Sequence, residues 1–226
     1  MANERPVTRR PGRPRAERPV LTRPAILEAA LALVDEEGME ALSMRRLAAR
    51  LRVDAMSIYH HLPNKAAIVS GLVEAVFATM PPTPADGPWP DRVRAWARAY
   101  RDLALAHPNL VLQIVTDSAA ASEATILISE PLYAALEDAG LTAPQIVVAA
   151  GTLVDFVNGY ALALSPPAAD AGAPEADPMG QRLAALGPDQ VPAIRRVQAG
   201  LGGQSPSGAD YFDACLDIII RGVTPP

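Results

Sequence analysis

Apolar residues in the first third of the chain recur at helical spacing and are interrupted at short intervals. Ile26, Ala29, Ala30 and Leu33 fall on one face of a helix over 25–37, and Gly38 follows at a position suited to left-handed closure. Leu47, Ala48 and Leu51 line a second, shorter helix that Ser43 is placed to cap. Arg52-Val53-Asp54 makes a tight turn, and the Asp54 carboxylate is placed to cap a third helix that turns Ile58 and Leu62 inward. That helix leaves Ala55, Met56, Ser57, Tyr59 and His60 outside, too polar a set for simple core. Asn64 opens a fourth helix after Pro63, with Ile68, Leu72, Val76 and Met80 on one face. The proline-rich stretch 81–88 cannot continue it.

Beyond this break the pattern predicts helices at 90–106, 109–116, 122–138, 143–164, 179–186, 188–199 and 208–222. Stops are supplied by His107-Pro108, Gly140 and the glycines between 200 and 203. Residues 166–178, mostly Ala, Pro, Asp and Gly, read as a loop. No segment alternates in the manner of a strand, so the predicted fold class is all-α. The expected organisation is a flexible arm over 1–20, a helix-turn-helix domain over 21–80 and a larger helical domain over 88–226.

Two short helices joined by a tight turn, the second with an exposed polar face, fit the major groove of B-DNA. The residues that carry this reading resemble the tetracycline-repressor (TetR) family of bacterial transcription regulators. They are Leu21-Thr22-Arg23 leading into the first helix, the Ser43 cap, and Ile58-Tyr59-His60-His61-Leu62-Pro63-Asn64-Lys65. The resemblance runs without a gap over about the first third of the chain. It implies an N-terminal reading head and a helical ligand-binding and dimerisation domain. The activity it implies is that of a ligand-responsive dimeric repressor, bound to palindromic double-stranded operator DNA and released by a small-molecule effector, with no cofactor.

Lys65 resembles the family's phosphate-clamping lysine, and Tyr59 resembles a phosphate contact whose ring equally suits packing. Arg45 matches a position from which family members reach a base edge; a solvated charge is the alternative. Ala55 and Met56 offer only apolar contacts, for instance to a thymine methyl, whereas Ser57 and His60 suit a base or a phosphate. Adjacent His61 reads as packed or capping. The chain departs from the family at Arg52, where glycine is usual. A non-glycine residue in left-handed conformation costs roughly 1 kcal/mol, and Arg52 either reaches a phosphate in return or is simply solvated.

Charge sharpens the picture. The net charge of −5 conceals 12 basic and 9 acidic side chains in residues 1–80 against 8 and 16 in residues 81–226. DNA repels the acidic remainder, which marks the N-terminal section as the binding end. The arm carries Arg5, Arg9, Arg10, Arg13, Arg15 and Arg18 among prolines. Its Pro11-Gly12-Arg13-Pro14-Arg15 segment resembles a minor-groove hook, or else adds only phosphate affinity. With the arm dominant, a ligand-independent architectural or nucleoid DNA-binding protein is the alternative function. The chain has three histidines and one cysteine, with no nucleophile–base grouping and no phosphate-cradling glycine loop, so no enzyme is expected. Cys215, among Phe212, Leu216 and Ile219, reads as a buried apolar thiol. No run of about 18 apolar residues and no signal-peptide pattern occurs, which predicts a cytoplasmic protein with no membrane partner.

Helices 143–164 and 208–222 are apolar on more than one side and resemble the family's four-helix homodimer interface. The residues expected there are Val147, Gly151, Val154, Phe212, Leu216 and Ile219. Gln113, Thr116, Asp117, Asp155 and Asn158 are polar residues in otherwise apolar helices, with Trp96 and Tyr100 on a neighbouring helix. Buried polar groups need partners, so Trp96, Tyr100, Gln113, Thr116, Asp155 and Asn158 are the candidate ligand-binding set, with intrachain hydrogen bonds as the alternative. Pro81 and Gln113 fall where the family's namesake uses histidines for drug and magnesium. The resemblance therefore points to an apolar or amphipathic effector rather than a magnesium–tetracycline complex.

Overall fold

The structure is a computed structural model that describes residues 21–116, 123–164, 178–187, 189–202 and 208–223. The arm at 1–20, the loop beginning at 166 and Asp117 lie outside the described residues. Among the described residues the only regular structure is helical. The order is α1 (Arg23–Glu37), a 3₁₀ turn (Met39–Ala41), α2 (Met44–Leu51), α3 (Ala55–Tyr59), α4 (Lys65–Phe77), α5 (Trp89–Ala106) and α6 (Pro108–Thr116). Then follow α7 (Glu123–Asp138), α8 (Ala143–Leu164), α9 (Pro178–Ala185), α10 (Pro192–Leu201) and α11 (Gly208–Gly222).

The local signals that set the head are visible as hydrogen bonds. The Thr22, Ser43, Asp54 and Asn64 side chains accept from Ala25, Arg46, Met56 and Ala67 N–H respectively, one cap for each of α1 to α4. Gly38 closes α1 with φ 81° and ψ 170°, donating its N–H to Val34 O. The positive φ is as expected, although ψ is extended rather than left-handed helical. Arg52 sits in the left-handed region at φ 56°, ψ 42°, with Val53 N–H bonded to Ala48 O at 3.0 Å. Ile26, Leu47, Ile58, Ile68 and Leu72 are fully buried at the centre of the head. Gly71 lets α4 lie close on α1, since a Cβ there would stand 2.8 Å from the Leu27 side chain.

The core does not stop at the proline-rich stretch. Val34 and Val73 belong to the same continuous apolar cluster as Val93, Trp96, Leu132, Leu153 and Phe212, with α4 packed on α7 and α1 on α6. Paired ions fasten α11 to α5: Arg98 grips Asp213 with two bonds of 2.9 and 3.0 Å, Arg94 reaches Asp217, and the Arg101 guanidinium lies 4.7 Å over the Phe212 ring.

Three expectations need correction. The helix expected over 188–199 begins only at Pro192 and runs to Leu201, because a residue before proline is pushed out of the helical region and Val191 adopts φ −137°, ψ 50°. Gly202 (φ 57°), one of the glycines expected to stop it, caps its end. α4 stops at Phe77, so Met80 lies in the hydrogen-bonded turn after it. By mean hydropathy α8 is, against the sequence reading, long and apolar enough to span a membrane, with only 28% of that window buried. Its inner face packs in the core through Ala150, Leu153 and Val157 while its outer face is open and carries Asp155.

Arg52→Gly should remove the strain at this exposed corner and, net of the entropy glycine loses on folding, stabilise the protein by a few tenths of a kcal/mol, up to about 0.5 kcal/mol. Urea unfolding reads this directly, and an unchanged or lowered stability would show that the arginine side chain compensates for its backbone.

Candidate nucleic-acid interface and regulatory core

The head presents its polar residues on three consecutive helix starts. Arg45 lies one residue into α2 and is exposed; Met56 is 62% exposed on α3, flanked by half-buried Ala55 and Ser57. Tyr59 and His60 are exposed at the end of α3. His61 is exposed as well, which rules out the packed alternative for it. Lys65 opens α4 and its ammonium donates to Met39 O at 3.2 Å, which leaves two of its three protons free to meet an anion. Buried Ile58 and Leu62 anchor the segment from below, so the outward residues are fixed in direction without being used by the core. Apolar tip, hydroxyl, imidazole, guanidinium and ammonium on one capped unit are the groups that read base edges and hold phosphates.

Long-range ion pairs, which the sequence reading missed, brace this unit. Glu36 receives two bonds from Arg50, at 2.8 and 2.6 Å, and Glu37 pairs with Arg46. The Arg50 hydrogen bond holds the Glu36 carboxyl below its ordinary range. A repeat of arginines at i and i+4 on α2 facing adjacent glutamates on α1 was the available signal.

In the larger domain the candidate ligand residues separate. Trp96 Nε1–H donates to Ile128 O at 2.7 Å, and Tyr100 O–H donates to Asn158 Oδ1 at 2.9 Å. The two rings stand 5.2 Å apart, and all three residues are buried. These bonds give the Trp96 N–H, the Tyr100 O–H and the Asn158 oxygen partners within the chain, the alternative that the sequence reading kept open. Asp155 is exposed on the outer face of α8 and does not point into the core. Gln113 is half-buried on α6, and the Thr116 side chain lies outside the described residues. A groove of about 490 Å³ lies elsewhere, between the outer faces of α8 and α11, lined by Leu141, Val148, Thr152, Ile219 and Val223 among others.

The expected dimer residues divide in the same way. Val147 and Gly151 are exposed, and Val154 and Ile219 are half-buried. Phe212 and Leu216 have no exposed surface and belong to the subunit core, Phe212 stacking on Phe156 at 5.1 Å. They cannot present a face to a partner. The sequence reading instead overlooked Val148, at 69% exposure, and Ile218, at 64%. An apolar helix without a polar side gives no periodicity from which to choose its inner face.

Comparison with known proteins decides the family. The family described as "Tetracyclin repressor-like, C-terminal domain" matches residues 81–225, and "Bacterial regulatory proteins, tetR family" matches residues 26–72. The chain belongs to the tetR family of bacterial regulatory proteins. Similar relatives include an HTH-type transcriptional regulator of Saccharopolyspora erythraea, 33% identical over 66% of this chain and 64% of the relative. The HTH-type transcriptional repressor DrrR1 of Streptomyces coeruleorubidus is 33% identical over 67% of this chain and 54% of its own length. The match thus spans less than two thirds of these two relatives. Among solved structures, apo ActR from Streptomyces coelicolor is 29% identical with a TM-score of 0.72, covering 90% of this chain and 94% of that one. ActR in complex with actinorhodin is 28% identical at the same TM-score, covering 90% and 97%.

Tyr100→Phe should leave the Asn158 oxygen buried without its donor and destabilise this tetR-family fold by about 1–3 kcal/mol. Burial pushes the Tyr100 phenol up from 10.0 to about 12, so its stabilising contribution is complete below pH 10 and lost as pH rises through about 12. The tyrosinate absorbance step near pH 12 should vanish in the variant; a step that remains there assigns it to another tyrosine.

Proposed function

We propose that this protein is a dimeric, ligand-responsive transcriptional repressor that binds a palindromic DNA operator and is released by a small-molecule effector. The observation that carries the reading is the capped head, on which Arg45, Met56, Tyr59, His60 and Lys65 are exposed while Ile58 and Leu62 anchor the segment in the core. Lys65 and Tyr59 hold phosphates and set the register. Arg45 pairs with a base edge, Ala55 and Met56 meet apolar edges, and Ser57 and His60 complete the contact. So small a reading surface gives little selectivity by itself, and two heads on a palindrome double it.

The dimer seam is the outer face of α8 with α11: Val147, Val148, Gly151, Val154, Ile218 and Ile219. Val147, Val148, Gly151 and Ile218 are exposed in the subunit, Val154 and Ile219 are half-buried beside them, and small Gly151 permits close helix approach. The effector is taken up where α5, α6 and α8 pack on one another. The complex of actinorhodin with ActR, a structural relative over nearly the whole chain, supports a small-molecule effector. Its effect on DNA equals its differential affinity for the DNA-competent and incompetent states.

Lys65→Ala should weaken specific and nonspecific DNA alike and lower the salt slope by about one unit, whereas Arg45→Ala should relax preference at one position per half-site at a cost near 1–3 kcal/mol. Titration of selected and scrambled duplexes at several salt concentrations separates the two effects; wild-type affinity and discrimination in both variants would remove the interface. Val147 is 60% exposed, so Val147→Asp should leave the subunit folded while placing an unpaired carboxylate in the seam. Sedimentation should show a monomer, and a folded variant that stays dimeric would move the seam elsewhere.

A further inference from the structure

The last turn of α1 is held from two sides. On the side of the C-terminal helices, Asn109, in the first turn of α6, donates its side-chain amide to Val34 O at 2.9 Å. His107, at the corner between α5 and α6, sets its Nδ1 3.0 Å from Asp35 Oδ2. On the side of the head, the next two carboxylates face α2: Glu36 binds Arg50 twice and Glu37 binds Arg46. Successive helical residues point about 100° apart, which is why one turn reaches two helices with three adjacent acids. Arg46 directly follows Arg45, the residue assigned to a base edge.

We infer that residues 34–37 of α1 are the joint through which the C-terminal helices and the reading helices set one another's orientation. The inference rests on the DNA-binding reading above and adds the residues that transmit its regulation. A second contact, α4 against α7, joins the same two regions, so the rival is transmission through α4 alone. Exposed pairs such as His107–Asp35 add little stability but fix direction. Removing them should therefore uncouple the regions without unfolding either.

Coupling is reciprocal: whatever lets α6 alter DNA affinity lets DNA alter α6. The probe is the duplex that the full-length wild-type protein recovers from a random library, and the readout is amide hydrogen exchange at Leu110 and Val111. Both N–H groups bond His107 O at 3.1 Å and close the first turn of α6. Saturating duplex should slow their exchange by about fivefold or more in the wild type, the lower end of ordinary coupling. In Asp35→Ala/Asn109→Ala the slowing should vanish, with an unchanged helical circular dichroism spectrum and duplex still bound. Asp35→Asn, which keeps an acceptor oxygen for His107, should retain it. Equal slowing in wild type and double variant, or its absence in the wild type, overturns the joint while leaving DNA binding intact. Should the double variant lose its helical spectrum, His107→Ala alone must abolish most of the slowing, and full slowing there overturns the joint too. A library from which no duplex is recovered overturns the DNA-binding reading itself, and the joint with it.

Discussion

Ile26, Ala30 and Val34 of α1 are buried in the same apolar cluster as Val93, Trp96 and Leu132 of the C-terminal helices. The other features depend on that continuity. A head attached through a flexible linker would feel nothing of what happens around Tyr100 and Asn158. A head sharing one close-packed core cannot be turned without a rearrangement below it, because packed interiors move between discrete arrangements rather than deforming smoothly. The proline-rich stretch before α5 ends a helix but does not separate two cores.

Placed on this platform, the outward residues of the recognition segment are left free of the core. Ile58 and Leu62 bury the inner side of the recognition segment, the caps at Ser43, Asp54 and Asn64 fix where each helix begins, and Met56 and His60 are left outside. α8 is divided in the same way. Its inner side is spent on the core through Leu153 and Val157, and its outer side keeps Val147 and Val148 in the open. Apolar surface of that extent is unfavourable in water and favours burial against a second copy. One face of the molecule is thus suited to DNA and another to its own partner.

The helices and their caps were legible in the sequence because those signals are local: an Asp or Asn before a helix, a glycine after one, apolar residues every three or four positions. The left-handed strain at Arg52 was legible for the same reason. α10 was misplaced because the stop set by Pro192 acts on the residue before it, a finer rule than the apolar pattern. Phe212 and Leu216 were assigned to the seam, and Trp96, Tyr100 and Asn158 to a ligand, because composition shows that a residue will be buried but not against what. The partners that decide those cases lie far away in sequence: Phe156 for Phe212, Ile128 for Trp96, Asn158 for Tyr100. The Asp35–His107 pair is of this kind too, and it is where the head and the C-terminal helices meet.

Selection of DNA from a fully random library by the full-length protein at physiological salt tests the central claim most directly. Two heads on a symmetric dimer predict an inverted repeat, its half-sites separated by about one helical turn or a multiple of it. The recovered duplex should bind two chains. An unenriched pool retained only at low salt, or a single asymmetric half-site occupied by one chain, would contradict the account.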